Sequence, residues 1–105
     1  MNFGISPRSM ELIITTLKKR KEIEKASIFG SRSMGNYKRG SDIDIVIYGT
    51  DITGEILNQI NVELNEKQPI PYECDVVHYE TLHHEGLKEH IDSFGKIFYS
   101  SSSIL

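Results

Sequence analysis

The chain has 105 residues, 38% of them hydrophobic and 26% charged, and a net charge of −3. We expect one small domain over residues 1–105, of ordinary globular composition, and no nucleic-acid partner, because an acidic balance disfavours binding to phosphate backbones. The single cysteine, Cys74, excludes an internal disulfide and fits a reducing cytoplasm. Neither a signal peptide nor an apolar run long enough to span a membrane is predicted.

The first predicted element is a helix that begins at Ser6-Pro7 and ends at about residue 24. Serine often caps a helix and proline fits its first turn. The apolar residues that follow, among them Ile13 and Leu17, recur at helical spacing. The basic run over residues 18–21 falls in the later half, where cations oppose the negative end of the helix dipole. We interpret it as a solvated helical face rather than as a nucleic-acid patch.

A glycine-punctuated loop separates two predicted strands. The first strand is the apolar run over residues 26–29, which ends abruptly at Gly30-Ser31. The loop over residues 30–41 is polar and basic, and its glycines allow bare backbone to approach a ligand. Residues 42–48 then alternate, which predicts a strand with three isoleucines on one face and two aspartates on the other.

These two aspartates, Asp42 and Asp44, are expected to stand side by side at the start of the strand. Their Cα atoms would be roughly 6.5 Å apart at a rise of about 3.3 Å per residue. Carboxylate oxygens at this spacing suit Mg²⁺, which proteins usually hold through one or two carboxylates and substrate phosphates. A single aspartate would be explained as a backbone cap, but a third carboxylate, Asp75, is predicted on the same sheet face.

The second half of the chain predicts a helix, a strand, a helix and a short extended segment. The helices cover residues 52–67 and 80–94, the strand covers residues 72–79, and the extended segment covers residues 96–99. Asp75 lies inside this β-prone strand, where a carboxylate is unfavourable to bury unless it is paired or binds a cation. The element order predicts an α+β fold: a small mixed β-sheet with helices packed on one face and the carboxylates on the other.

The sequence Gly30-Ser31, ten further residues and then Asp42-Ile43-Asp44 resembles the signature of the DNA polymerase β-like nucleotidyltransferase superfamily. The stretch is most similar to that of its smallest branch, the minimal nucleotidyltransferases (MNT), and Asp75 matches the third carboxylate of that branch. The resemblance covers nearly the whole chain. Ser33 and Met34 stand where the branch often has alanine and arginine, so one phosphate contact is missing while the three carboxylates are present.

The resemblance implies a polymerase β-like nucleotidyltransferase fold and a metal-dependent transfer of a nucleoside monophosphate. Asp42, Asp44 and Asp75 would be catalytic and would bind Mg²⁺, two ions in the usual arrangement, with Asp75 either as a metal ligand or as the base toward the acceptor hydroxyl. ATP is the expected substrate by analogy, and pyrophosphate leaves. The implied nucleotide-binding residues belong to the loop and its ends: Gly30, Ser31, Arg32, Lys38, Arg39 and Ser41.

The resemblance also implies a protein partner. Larger members of the superfamily carry further domains, so a partner protein or a second copy of this chain is expected to complete the cleft. Minimal nucleotidyltransferases typically pair with a small helical HEPN-type RNase toxin and act as its antitoxin by adding AMP to a tyrosine. Two alternatives remain open: nucleotidylation of a small molecule such as an aminoglycoside, and a non-catalytic subunit that masks its partner. Substituting Asp44 by asparagine separates catalysis from masking.

The remaining chemistry-bearing side chains have simpler interpretations. Cys74 is expected to be a small core residue. His83, His84 and His90 lie on one predicted helix, but their spacing is not that of a usual metal pair, so we interpret them as surface histidines. Tyr37, in the loop, either stacks on a nucleotide base or covers the loop.

Overall fold

A four-stranded mixed β-sheet forms the centre of the computed structural model, which describes residues 3–101. Strand β1 (Lys25–Phe29) pairs antiparallel with β2 (Ile43–Tyr48) and with β4 (Lys96–Ser100), whereas β2 pairs parallel with β3 (Cys74–His78). The strands therefore lie in the order β3-β2-β1-β4. The predicted α+β class with a mixed sheet is confirmed.

The described part of the chain has four α-helices: α1 (Pro7–Lys18), α2 (Ser31–Met34), α3 (Gly54–Val62) and α4 (Glu85–Phe94). A turn of π-helix, Glu63–Lys67, extends α3, and a 3₁₀ turn, Tyr79–Thr81, follows β3. None of the helices within residues 3–101 is both long enough and apolar enough to cross a lipid bilayer.

Helix α1 begins where the sequence predicts and ends earlier. The Ser6 side chain caps its start as expected. The helix ends at Lys18, because Ile23 is completely buried in the core and the Glu24 amide donates to the Tyr48 carbonyl. These contacts draw the chain out of the helix and into β1, so the predicted end near residue 24 is wrong.

The helix predicted over residues 80–94 is divided in two. The 3₁₀ turn comes first, and α4 begins only at Glu85. His84 caps this start, with Nδ1 accepting a hydrogen bond of 3.0 Å from the Leu87 amide. Histidine is not among the residues usually recognised as helix caps, so the interruption was not visible in the sequence pattern.

Apolar residues pack on both faces of the sheet. One face carries Ile43, Ile45 and Ile47, all completely buried in one cluster with residues of α1 and α3. These isoleucines face a helix layer, as predicted. On the opposite face, Val46 packs in a second cluster with Ile91 of α4. Helix α4 therefore covers part of the face that carries the aspartates, which the predicted one-face arrangement did not include.

Two asparagines bind the outer side of β3. The Asn65 side chain exchanges two hydrogen bonds of 2.7 Å with the backbone of Cys74, and Asn61 exchanges two with Val76 at 3.1 and 3.2 Å. These bonds satisfy backbone groups that β2 does not reach. They also hold the backbone on both sides of Asp75, so its position is fixed from α3 and the π-helical turn.

Candidate active site

Strand pairing sets two of the three predicted catalytic carboxylates opposite each other. Asp44 of β2 and Asp75 of β3 are direct partners in the parallel pair, and neighbouring strands lie about 4.8 Å apart. Asp42 lies two residues before Asp44, just outside β2, and its charge acts on Asp44. The candidate site therefore occupies the start of β2 and β3, on the face that α4 partly covers.

The Asp44 side chain is half-buried, and its pKa is raised above the ordinary aspartate value. Burial is the largest cause, followed by the negative charges of Asp75 and Asp42, while His90 and Arg32 act in the opposite direction. Both neighbouring carboxylates are thus close enough to repel the Asp44 charge. A bound cation would relieve this repulsion.

The donor set fits a divalent cation that arrives with ligands of its own. Within residues 3–101, no three histidine, cysteine, aspartate or glutamate side chains form a ready-made metal site. Asp42 and Asp75 are exposed, so their side chains have room to turn toward an ion. Magnesium usually takes only one or two carboxylates, with phosphates and water in its other positions. The carboxylates therefore suit Mg²⁺ bound to a triphosphate better than Mg²⁺ enclosed by protein alone.

Gly30 packs its bare Cα against the Asp44 carboxylate. Its φ of 76° lies in the left-handed region and its ψ is −153°, a combination that residues with a side chain rarely adopt. A Cβ atom at this position would overlap Oδ2 of Asp44. Glycine is required here for both conformation and space, and α2 starts at the next residue, Ser31.

His90 is a residue of the site that the sequence analysis missed. Its Nε2 accepts a hydrogen bond of 2.9 Å from the Gly30 amide, and Gly30 in turn packs against the Asp44 carboxylate. The interpretation as a surface histidine holds for the exposed His83 and fails for His90, which is half-buried.

A signal for His90 was present in the sequence. It stands three residues after Leu87 and one before Ile91, two apolar residues at helical spacing. Helical spacing places i and i+3 on neighbouring parts of one face. His90 was therefore on the edge of the sheet-facing stripe. The same rule would place His83 and His84 on that face, and only the start of α4 at Glu85 separates them from it.

Arg32 is buried, and backbone carbonyls occupy its donors. The residue is 3% exposed, and its guanidinium donates to the carbonyls of Phe3 at 2.8 Å, Ser41 at 2.7 and 3.2 Å, and Asp42 at 3.3 Å. The structure places Arg32 differently from the phosphate contact that the resemblance implies, because a phosphate would have to displace these bonds. Arg32 instead ties the end of the loop to the N-terminal segment.

Two tyrosine rings cover the Arg32 guanidinium. The Tyr37 ring centre lies 5.0 Å from it and the Tyr72 ring centre 4.8 Å. Cation–π contacts of this kind stabilise a charge that has lost its water. Tyr37 also packs on Gly4, where a Cβ atom would overlap its ring. These contacts fit the role of covering the loop, and stacking of Tyr37 on a nucleotide base stays a prediction.

The loop before β2 presents two exposed cations, Lys38 and Arg39. Ser41 shapes the turn that carries them, because its Oγ accepts a hydrogen bond of 2.8 Å from the Lys38 amide. Their place just before Asp42 keeps positive charge near the carboxylates in sequence. Phosphate binding by these residues and by Ser31 stays a prediction.

Cys74 is a core residue, as predicted, with 2% of its surface exposed. Burial raises the pKa of its thiol to about 12. The thiolate form needed of a nucleophile is therefore disfavoured at neutral pH.

A cavity of about 770 Å³ lies beside α4, away from the carboxylates. Tyr48 and Tyr79 are stacked in its wall with ring centres 5.0 Å apart, and Lys25 and Lys88 lie over these rings at 4.6 and 5.2 Å. Both rings therefore already have partners within the protein, and none of the three predicted catalytic carboxylates lines this cavity.

Comparison with known proteins gives one family match. The family model described as polymerase beta, nucleotidyltransferase matches residues 11–104. No curated protein matches the sequence.

Solved structures share the fold. A toxin–antitoxin structure with AMP-PNP matches with a TM-score of 0.71 and 22% identity, covering 89% of this chain and 74% of that one. A complex of a tri-AMPylated Shewanella oneidensis HEPN toxin with an MNT antitoxin matches with a TM-score of 0.67 and 18% identity, covering 91% of this chain and 73% of that one. A toxin–antitoxin structure of MntA and HepT matches with a TM-score of 0.68 and 17% identity, covering 93% of this chain and 75% of that one. The TM-scores show a common architecture, and at identities under 25% the matches show the fold alone.

Proposed function

Because the chain belongs to the polymerase beta nucleotidyltransferase family, we propose that it transfers AMP from ATP to a hydroxyl group on a protein partner. The observation that carries the proposal is the register of β2 and β3, which sets Asp44 opposite Asp75 with the charge of Asp42 close by. Three hard-oxygen donors on one sheet face, next to a glycine turn, suit the chemistry of a magnesium-bound triphosphate.

In the proposed reaction, Asp42 and Asp44 would hold Mg²⁺, and Asp75 would either help to hold a second ion or act as the base. Such ions stabilise both the attacking and the leaving oxygen of a phosphoryl displacement. The acceptor oxygen forms a bond to the α-phosphorus, the bond from that phosphorus to the bridging oxygen breaks, and pyrophosphate leaves. If Asp75 is the base, its exposed side chain would take the proton of the acceptor hydroxyl.

The loop is proposed to bind the triphosphate. Gly30 leaves the carboxylates accessible because it has no side chain, and the Ser31 amide and hydroxyl follow it directly. Lys38 and Arg39 supply exposed positive charge. Oriented backbone amides and basic side chains both favour anions.

The proposed acceptor is a tyrosine of a HEPN-type RNase, for which this chain would be the antitoxin. The proposal is supported by the shared fold with an MNT antitoxin that was solved together with a tri-AMPylated HEPN toxin. An AMP group near an RNase site would add phosphate charge and bulk. Both would oppose RNA binding, by repulsion and by obstruction.

A non-catalytic masking subunit is the second candidate. The observation that favours it is that Asp42 and Asp75 are exposed, so a partner could contact them directly. In that case the surface around the carboxylates would contact the partner without chemistry. Substituting Asp44 would then leave neutralisation of the partner unchanged.

The experiment is transfer of a label from ATP. The purified protein is incubated with Mg²⁺, ATP labelled at the α-phosphate and a lysate of its source cells, beside the variants Asp44→Asn and Asp51→Asn. Asp51 is exposed in the turn after β2, so its substitution makes the same change of charge away from the site. A labelled protein that requires Asp44 and not Asp51 supports the proposal, and its mass identifies the acceptor.

The other outcomes point elsewhere. Label found only in small molecules would contradict a protein acceptor and support an aminoglycoside-type reaction. No label in either fraction, with a partner that is still neutralised by Asp44→Asn, would contradict catalysis and support masking.

A further inference from the structure

We propose that His90 is a positioning residue for the nucleotide and that it acts through the Gly30-Ser31 turn. This inference rests on the proposed function and assigns a role to a helix that the family signature does not reach. The signature lies between Gly30 and Asp75, whereas His90 is on α4. Helix α4 thereby becomes part of the site.

Packing brings His90 to the turn. Its neighbour Ile91 is 2% exposed and packs in one cluster with Val46 and Phe29, so α4 is anchored on the sheet at this point. From there Nε2 of His90 accepts the Gly30 amide hydrogen at 2.9 Å. An imidazole nitrogen that accepts carries no hydrogen, so the ring hydrogen is on Nδ1.

Two aromatic rings fix the orientation of the imidazole. Phe29 meets it edge-on, with centres 6.1 Å apart and planes at 73°, and Phe94 lies tilted beside it at 5.4 Å. Because packing holds the imidazole, Nε2 faces the Gly30 amide before any ligand binds. Preorganisation of this kind reduces the ordering that binding must otherwise supply.

Gly30 is consequently held from two directions. The Asp44 carboxylate lies against its Cα, and His90 holds its amide. The φ of 76° is one of several conformations open to glycine, and these contacts select it. Because α2 begins at Ser31, the direction of the Ser31 amide and hydroxyl follows from that selection.

Two variants test the hydrogen-bond acceptor and the aromatic ring of His90 separately. His90→Phe keeps a ring between Phe29 and Phe94 and removes the acceptor, whereas His90→Gln removes the ring and offers an amide oxygen near the place of Nε2. His83→Phe, at an exposed position before α4, is the matched control. Each variant is measured for affinity toward AMP-PNP with Mg²⁺ by calorimetry, for KM and kcat in label transfer, and for hydrogen exchange of the Gly30 amide by NMR.

We expect His90→Phe to weaken AMP-PNP binding and to raise KM for ATP about tenfold, the upper end of what one net hydrogen bond contributes. The kcat value should change less than about threefold, because the carboxylates are untouched. His90→Gln should recover to within about threefold of wild type, and His83→Phe should match wild type. Exchange of the Gly30 amide should quicken about tenfold in His90→Phe and recover in His90→Gln.

Wild-type affinity and KM in His90→Phe, or equal losses in both His90 variants, would overturn the assignment and leave the proposed function standing. A wild-type protein that neither binds AMP-PNP nor transfers label would refute the proposed function, and the positioning role with it. If His90→Phe does not fold, His90→Gln decides: faster Gly30 exchange with unchanged nucleotide affinity would overturn the role.

Discussion

Replacing Asp44 by asparagine should abolish transfer and at the same time stabilise the metal-free fold. Asp44 faces Asp75 across the parallel pair. At a separation of about 5 Å, two unit charges repel by about 3 kcal/mol at an effective dielectric constant of about 20. Asp44 is only half-buried and Asp75 is exposed, so water and salt reduce the repulsion, and we expect a gain of about 1 kcal/mol. For a domain of this size, that gain raises Tm by about 4–8 °C.

The stability that Asp44→Asn gains over the wild type should increase as pH rises. The pKa of Asp44 is raised in the folded state, first by burial and then by Asp75 and Asp42, so the folded chain binds the proton more tightly than the unfolded chain. Stability falls with rising pH wherever the folded state binds more protons. The wild type should therefore lose stability relative to Asp44→Asn as pH rises from the ordinary aspartate value of about 3.9 through the raised one. Below that window the two proteins should differ little.

Thermal unfolding in EDTA across this pH range measures the effect, with Asp51→Asn as the control for loss of an exposed carboxylate. Added Mg²⁺ should then stabilise the wild type, because a ligand that binds only the folded state raises its stability, and it should stabilise Asp44→Asn far less. An Asp44→Asn protein that is less stable than wild type without metal, or a difference independent of pH, would refute the reasoning.

Three further substitutions test the contacts around the site by urea unfolding. Gly30→Ala should cost about 2 kcal/mol or more, because this backbone conformation costs about 1–3 kcal/mol for a residue with a side chain and the new Cβ meets Asp44; wild-type stability would contradict this close approach. Arg32→Lys should cost about 2–4 kcal/mol, since an ammonium cannot replace the fork that binds three carbonyls; wild-type stability would contradict that function. Asn65→Ala should cost about 1–3 kcal/mol by leaving the Cys74 backbone groups unpaired, and no loss would mean that water replaces the side chain.

The carboxylates were predictable because their placement is mostly local. Alternation along one strand sets Asp42 and Asp44 toward one face, whatever the rest of the chain does. Asp75 required more, since its register with Asp44 exists only because β2 and β3 are parallel neighbours. Hydrophobic periodicity does not specify which strands pair, so this part of the site came from the family resemblance.

The contacts of Arg32 and His90 were beyond the sequence pattern for a different reason. A basic residue in a glycine-rich loop suggests a phosphate ligand, but tertiary packing turned Arg32 inward onto backbone carbonyls. His90 makes its bond to Gly30, sixty residues earlier in the chain. Residues nearby in the sequence do not specify where a loop side chain points. They also do not specify where a helix packs on a sheet.

The asparagine contacts on β3 make the two edges of the sheet different, because side chains already bind the backbone of one edge strand. Another strand could join beside β3 only by displacing the four hydrogen bonds that Asn61 and Asn65 make there. At the other end, β4 has β1 as its single strand neighbour within residues 3–101, and its Ile97 is 61% exposed. A strand added beside β3 would therefore first have to displace side chains, whereas a strand added beside β4 would displace no other strand within residues 3–101.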